Sequence, residues 1–168
     1  LGLAAREYVL YVSRLEPENH PLEVASSYRA IRSNVPLVLV GDAPYSAGLI
    51  SELQAVAATD PRIMLTGAIY GGDYRTLQRN ALLYVQATGV GGTHPALIEA
   101  MGSGGAVVAL DTPENREVGG DAIRYFTFGE GAPFAEVLSG ILDDRADLES
   151  WRAKGRDRAC RFDWDAVT

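Results

Sequence analysis

Short apolar runs alternate along the chain with stretches in which apolar positions recur every three or four residues. Residues 8–13 (YVLYVS), 36–40 (PLVLV), 62–65 (RIML), 82–86 (LLYVQ) and 106–110 (AVVAL) are compact apolar runs rich in β-branched or aromatic side chains, and each predicts a strand. Between them Leu22, Val24, Ala25, Tyr28 and Ile31 fall at helical spacing, as do Leu49, Ile50, Leu53 and Val56, then Tyr74, Leu77 and Ala81. Residues 96–101 predict a further helix and residues 123–128 a last strand. The chain from Phe134 onward reads as mostly helical, with Asp163 placed to cap a final turn.

Strands and helices alternating at this pace imply a parallel sheet covered on both faces. The expected architecture for residues 1–168 is one α/β domain: a Rossmann-like, open, mostly parallel sheet of about six strands with right-handed crossovers and helices on both faces. Ligands of such sheets bind beyond the carboxyl ends of the strands. The positions to watch are therefore Arg14, Gly41 and Asp42, and residues 67–70, 88–94 and 111–117.

A chain of 168 residues is of single-domain size and buries roughly 70% of its unfolded surface. Its formal net charge of -7 offers no basic footprint for a polynucleotide, so nucleic acid is not an expected partner. A small anion needs only a few backbone N–H groups and one or two cations, which whole-chain charge does not decide. Cys160 is the sole cysteine, which excludes an intrachain disulfide and a cysteine-based zinc site and fits a reducing compartment. No apolar run approaches the roughly 20 residues of a spanning helix. The chain starts at Leu1, which reads as the beginning of a fragment of something longer.

The strongest chemical signal is the glycine-rich loop from Thr88 to His94, running directly into Pro95-Ala96-Leu97-Ile98-Glu99-Ala100-Met101. Glycines let backbone approach a ligand, and the amino end of a helix favours phosphate oxygens. Pro95 in the first turn costs the helix little, since its missing N–H would be unpaired there anyway. A tight strand-to-helix turn with no ligand is the plainer reading of a lone glycine loop. Glu99 lies between apolar neighbours; if buried, its carboxylate needs donors, and vicinal ribose hydroxyls would serve, whereas a solvent-facing helix glutamate needs none.

With its Leu-Ile-Glu-Ala-Met-Gly-Ser-Gly-Gly-Ala-Val core, the segment 91–107 resembles the signature of retaining family 4 glycosyltransferases of GT-B fold. It is similar in particular to bacterial rhamnosyltransferase-like members, through the blocks at 11–19, 40–45, 67–71 and 111–118. The resemblance implies the carboxyl-terminal half of a GT-B enzyme, whose missing amino-terminal domain carries most of the acceptor site. It also implies a nucleoside diphosphate sugar as donor, a saccharide or lipid-linked acceptor, transfer with retention in cell-surface polysaccharide synthesis, and no cofactor or obligatory metal. The whole enzyme would be cytoplasmic, or peripheral at the inner membrane face, and this half inactive alone.

Carried over position by position, the resemblance assigns Glu99 to the donor ribose hydroxyls and Arg14 to the diphosphate, where a guanidinium fork stabilises the departing nucleotide. It assigns Ile69 and Tyr70 to the base, and Gly92, Thr93 and His94 to the diphosphate and sugar, with Gly41 and Asn19 at the same rim. Arg14 has a plainer alternative as a surface arginine paired with Glu16 or Glu18, worth at most ~1 kcal/mol. Two positions depart from the family. Asn19 stands where a second diphosphate cation, a lysine, is usual, and the first glutamate of the family's pair falls on Gly91 or Gly89.

Three other readings compete with transfer. A sugar-nucleotide 2-epimerase shares the architecture, and a non-catalytic nucleotide-binding remnant fits the glycines at 89 and 91. A dinucleotide-binding module is disfavoured because the first strand leads into Ser-Arg-Leu-Glu-Pro and not G-x-G-x-x-G.

Overall fold

The computed structural model describes residues 2–43, 46–91 and 95–162. The chain runs β1 (Val9–Val12), a 3-10 turn (Pro17–Asn19), α1 (Pro21–Tyr28), β2 (Leu37–Val40), α2 (Ala47–Ala58), β3 (Ile63–Leu65) and α3 (Gly71–Asn80). It continues with β4 (Leu83–Gln86), α4 (Pro95–Gly102), β5 (Val107–Leu110), α5 (Pro113–Gly119), β6 (Arg124–Phe126), α6 (Phe134–Asp143) and α7 (Leu148–Ala159). The strands form one six-stranded sheet in the order β3-β2-β1-β4-β5-β6, and every pairing is parallel.

Strand alternation divides the core in two. Val9, Tyr11, Leu37, Leu39, Leu83, Val85, Val108 and Phe126 point to one face, where Tyr28 of α1, Leu53 of α2 and Leu138 of α6 cover them. Leu10, Val38, Val40, Tyr84, Val107 and Ala109 point to the other, beneath Leu97 and Met101 of α4 and Val118 of α5. Both faces being apolar, the central strands read as unbroken apolar runs, and each buried side chain of this size contributes roughly 1.5–3 kcal/mol. Phe126 stacks edge-on against Phe134 with centroids 4.8 Å apart, which seats the start of α6 beside the sheet's last strand.

The six strands and the helical tail lie where the sequence pattern places them, with two differences. The last strand is shorter than residues 123–128, ending at Phe126. Residues 113–119 form a helix where the sequence pattern assigns no element. Only Val118 of α5 packs into the core cluster, so no apolar period marks it; instead the Thr112 hydroxyl caps it, accepting from the Asn115 N–H at 3.2 Å, with Pro113 in its first turn. The expected cap at Asp163 lies outside the described residues.

Candidate functional site

Strand order reverses direction at the centre of the sheet: from β1 the chain builds outward through β2 and β3, then returns to place β4 on the other side of β1. The crevice between the carboxyl ends of two such strands is where open α/β sheets bind ligands. A slot of about 270 Å³ opens at this point, lined by Val12, Ser13 and Arg14 at the exit of β1, by Asn19 of the 3-10 turn, by Gln86, Thr88 and Val90 at and beyond the end of β4, and by Pro95 and Ala96 at the start of α4. Arg14 is the sole cation among these lining residues, and none of them is a carboxylate. The amino end of α4 adds the positive pole of its dipole.

The wall after β1 is held by one carbonyl. The Arg14 C=O accepts the Asn19 side-chain amide at 2.8 Å, the Glu16 N–H at 2.8 Å and the Ser13 hydroxyl at 3.0 Å. Asn19 is itself gripped from below, since the buried Tyr11 hydroxyl donates to its carbonyl at 2.8 Å, and burial pushes that phenol well above its ordinary pKa. The side chain of Arg14 is 77% exposed and meets Glu16 at 3.2 Å. The arginine therefore borders the slot and makes the surface pair at the same time. Asn19 sits at the slot, but its side chain holds the loop and adds no charge.

Gly41 closes the neighbouring loop. A Cβ there would lie 1.9 Å from the Ser13 carbonyl oxygen, so only a glycine lets the exits of β1 and β2 touch. The opposite wall is tied across the slot by the Gly89 N–H, which donates to the Glu18 carbonyl at 2.9 Å. A Cβ on Gly89 would fall 2.9 Å from His20 Nε2, so the imidazole occupies the space a longer residue would need. At Gly91 a φ of 126° disfavours any side chain for a different reason. Neither position can carry the first glutamate of the resembling family without a rearrangement.

Glu99 departs from the buried carboxylate considered in the sequence. It is solvent-exposed on α4, while its neighbours Ile98 and Ala100 are buried, so it needs no internal partner. It looks toward α3, where its charge adds to the dominant effect of burial in raising the Tyr74 and Tyr84 phenols. Among the described residues, the buried Tyr84 hydroxyl beneath finds no hydrogen-bond partner. Glu99 does not line the slot that holds Arg14.

Ile69 and Tyr70 are also apart from that slot. Tyr70 precedes α3 with 81% of its surface exposed, and Ile69 lines a separate hollow of about 530 Å³ with Leu3, Tyr8, Asp73 and Leu77. That hollow is the larger, but it has neither Arg14 nor the α4 terminus, so an anion is better served by the slot. Gly92, Thr93 and His94 lie outside the described residues. Among the described residues no cluster of three or more His, Cys, Asp or Glu side chains could hold a metal ion, and no helix is long and apolar enough to cross a membrane.

Gln86 is the residue the sequence reading passed over. It ends an otherwise apolar strand run, is only 4% exposed, and lines the slot. A polar residue closing an apolar run at the carboxyl end of a central strand was the available signal.

The chain resembles known proteins along most of its length. Residues 4–158 match the family model described as glycosyl transferases group 1. A stretch of 74 residues is 38% identical to the phosphatidyl-myo-inositol mannosyltransferase of Mycolicibacterium smegmatis, covering 43% of this chain and 19% of that protein. The fold matches the Anabaena protein Alr3699/HepE crystallised with UDP and glucose, with a TM-score of 0.84 and 21% identity over 96% of this chain and 46% of that one. It also matches the C-terminal domain of the group 1 glycosyl transferase LpcC of Francisella tularensis, with a TM-score of 0.77 and 19% identity over 92% of this chain and 85% of that domain. This chain thus spans less than half the length of the mannosyltransferase and of the Anabaena protein. Its open parallel sheet is that of GT-B carboxyl-terminal domains, and the chain belongs to the glycosyl transferases group 1 family.

Proposed function

We propose that the slot between β1 and β4 receives the diphosphate of a nucleoside diphosphate sugar, and that the chain is the donor-binding half of a glycosyltransferase. The single observation that carries this reading is the meeting of Arg14 with the amino end of α4 in a slot that, among the described residues, no carboxylate lines. Two sources of positive potential converge there on a space suited to an anion. The Anabaena relative, crystallised with UDP and glucose, supports the ligand class.

In the reaction so read, the bond from the anomeric carbon to the diphosphate oxygen breaks. An acceptor hydroxyl supplies the new bond with retention of configuration, and its proton passes to the departing diphosphate. Arg14 and the helix dipole offset the charge growing on that leaving group, so no metal is required. Glu99 holds the ribose, Ile69 and Tyr70 the base, and Gly92, Thr93 and His94 the diphosphate and sugar. Because Glu99, Ile69 and Tyr70 stand outside the slot, the nucleoside extends out of it toward α3. The acceptor, a saccharide or lipid-linked saccharide of cell-surface polysaccharide, is bound mainly by a separate amino-terminal domain. Catalysis then takes place in the cytoplasm or at the inner membrane face, in the cleft between the two halves.

A second reading is favoured by Gly89, packed against His20, and by Gly91: a nucleotide-binding domain that has lost transfer. Calorimetry on this chain with uridine diphosphate tests the shared premise. Binding weakened by Arg14→Ala and Glu99→Ala supports the assignment, and unchanged affinity in both variants removes it. Joining the chain to an amino-terminal half and assaying sugar transfer then separates the two readings.

A further inference from the structure

Gln86 closes β4 with its side chain in the floor of the slot. Its register partner on β5 is Ala109, and Val12 ends the neighbouring strand β1 beside it, so the side chains flanking it on the two adjacent strands are apolar. Among the described residues, no side chain or carbonyl forms a hydrogen bond with that amide, although only 4% of the residue reaches solvent. A buried carboxamide in such surroundings demands partners. The direction in which a partner can approach is the slot itself, where Arg14 and the amino end of α4 already favour negative charge.

We propose that Gln86 is a positioning residue for the donor diphosphate: its amide N–H donates to a phosphate oxygen on the slot floor, opposite the guanidinium of Arg14. This rests on the nucleotide-binding reading above. Asn19, turned into its own loop, leaves Arg14 as the one cation among the described residues of the slot, and a neutral donor at position 86 supplies a directional contact without burying a charge.

The test uses this chain, with uridine diphosphate and uridine as probes. Gln86→Met keeps the length and removes the donor, while Gln86→Glu keeps the shape and adds a charge that repels phosphate. Affinity for uridine diphosphate is expected to fall about tenfold in the first variant, the scale of one lost hydrogen bond to a charged group, and further in the second. Uridine binding, followed by saturation-transfer NMR, stays unchanged, as does the thermal midpoint of the methionine variant without ligand. If both variants keep the diphosphate affinity within about twofold, or lose uridine in equal measure, Gln86 has no phosphate role. If the unsubstituted chain binds no uridine diphosphate, the functional reading itself falls, and this inference with it.

Discussion

Asn19 donates its side-chain amide to the carbonyl of Arg14, five positions earlier in the loop that leaves β1, at 2.8 Å. The residue that replaces an expected cation thus acts on the backbone of the cation that is present. Asn19→Ala is expected to destabilise the chain by about 1–2 kcal/mol, since the Arg14 carbonyl loses a donor in a half-buried turn. Asn19→Lys, which restores the charge, loses the same bond and is expected to unfold at a lower urea concentration than the parent. Denaturation curves of equal midpoint for all three proteins would contradict this role.

Arg14 is highly exposed and paired with Glu16, so its removal leaves stability within about 0.5 kcal/mol. Its effect is expected on ligand: Arg14→Ala weakens uridine diphosphate about tenfold. Glu16→Gln frees the guanidinium and strengthens binding at low salt. A titration in which Glu16→Gln weakens the nucleotide instead would mean that the carboxylate orients Arg14 productively.

Two glycines offer opposite outcomes for the same change. Gly41→Ala sets a methyl 1.9 Å from the Ser13 carbonyl oxygen and is expected to cost more than about 2 kcal/mol. Gly72→Ala lies in α3 with nothing within 4 Å of the added carbon and is expected to stabilise by roughly 0.5–1 kcal/mol. Thermal midpoints moving in the same direction for both would show the contact at Ser13 to be soft.

Acid should loosen the corner beneath β3. Arg62 forks onto Asp60 at 3.0 and 2.6 Å and also donates to the carbonyls of Ile31 and Ser33, and its hydrogen bond is the largest cause holding the Asp60 carboxyl below its ordinary pKa. A depressed carboxylate contributes stability that is fully present above about pH 4 and is lost as pH falls through the lowered value. The gap in urea midpoint between parent and Asp60→Asn should therefore be widest near neutrality and close below pH 4. A gap independent of pH would remove the ion pair as its source.

Much of the scaffold is legible in the sequence because a parallel sheet covered on both faces leaves its strands as unbroken apolar runs, as in LVLV at Leu37–Val40. α5 escapes that reading because its identity rests on Thr112 and Pro113 at its start, with Val118 alone packing into the core. The slot was half visible. Arg14 and the glycine-rich loop announce themselves by type and by position after a strand, whereas Gln86 looks like the last residue of an apolar run until β1 is known to lie beside β4. Spacing could not tell that Glu99 faces solvent, because Ile98 and Ala100 on either side are buried.

The two rims of the slot come from stretches about seventy residues apart along the chain and are stitched by the Gly89 N–H on the Glu18 carbonyl. A molecule lodged between them acts as a rivet, joining an early loop to a late one. Occupancy would then be felt well beyond the contact itself, as slower amide exchange on both sides of the seam and a sharper melting transition, even where no atom touches the guest.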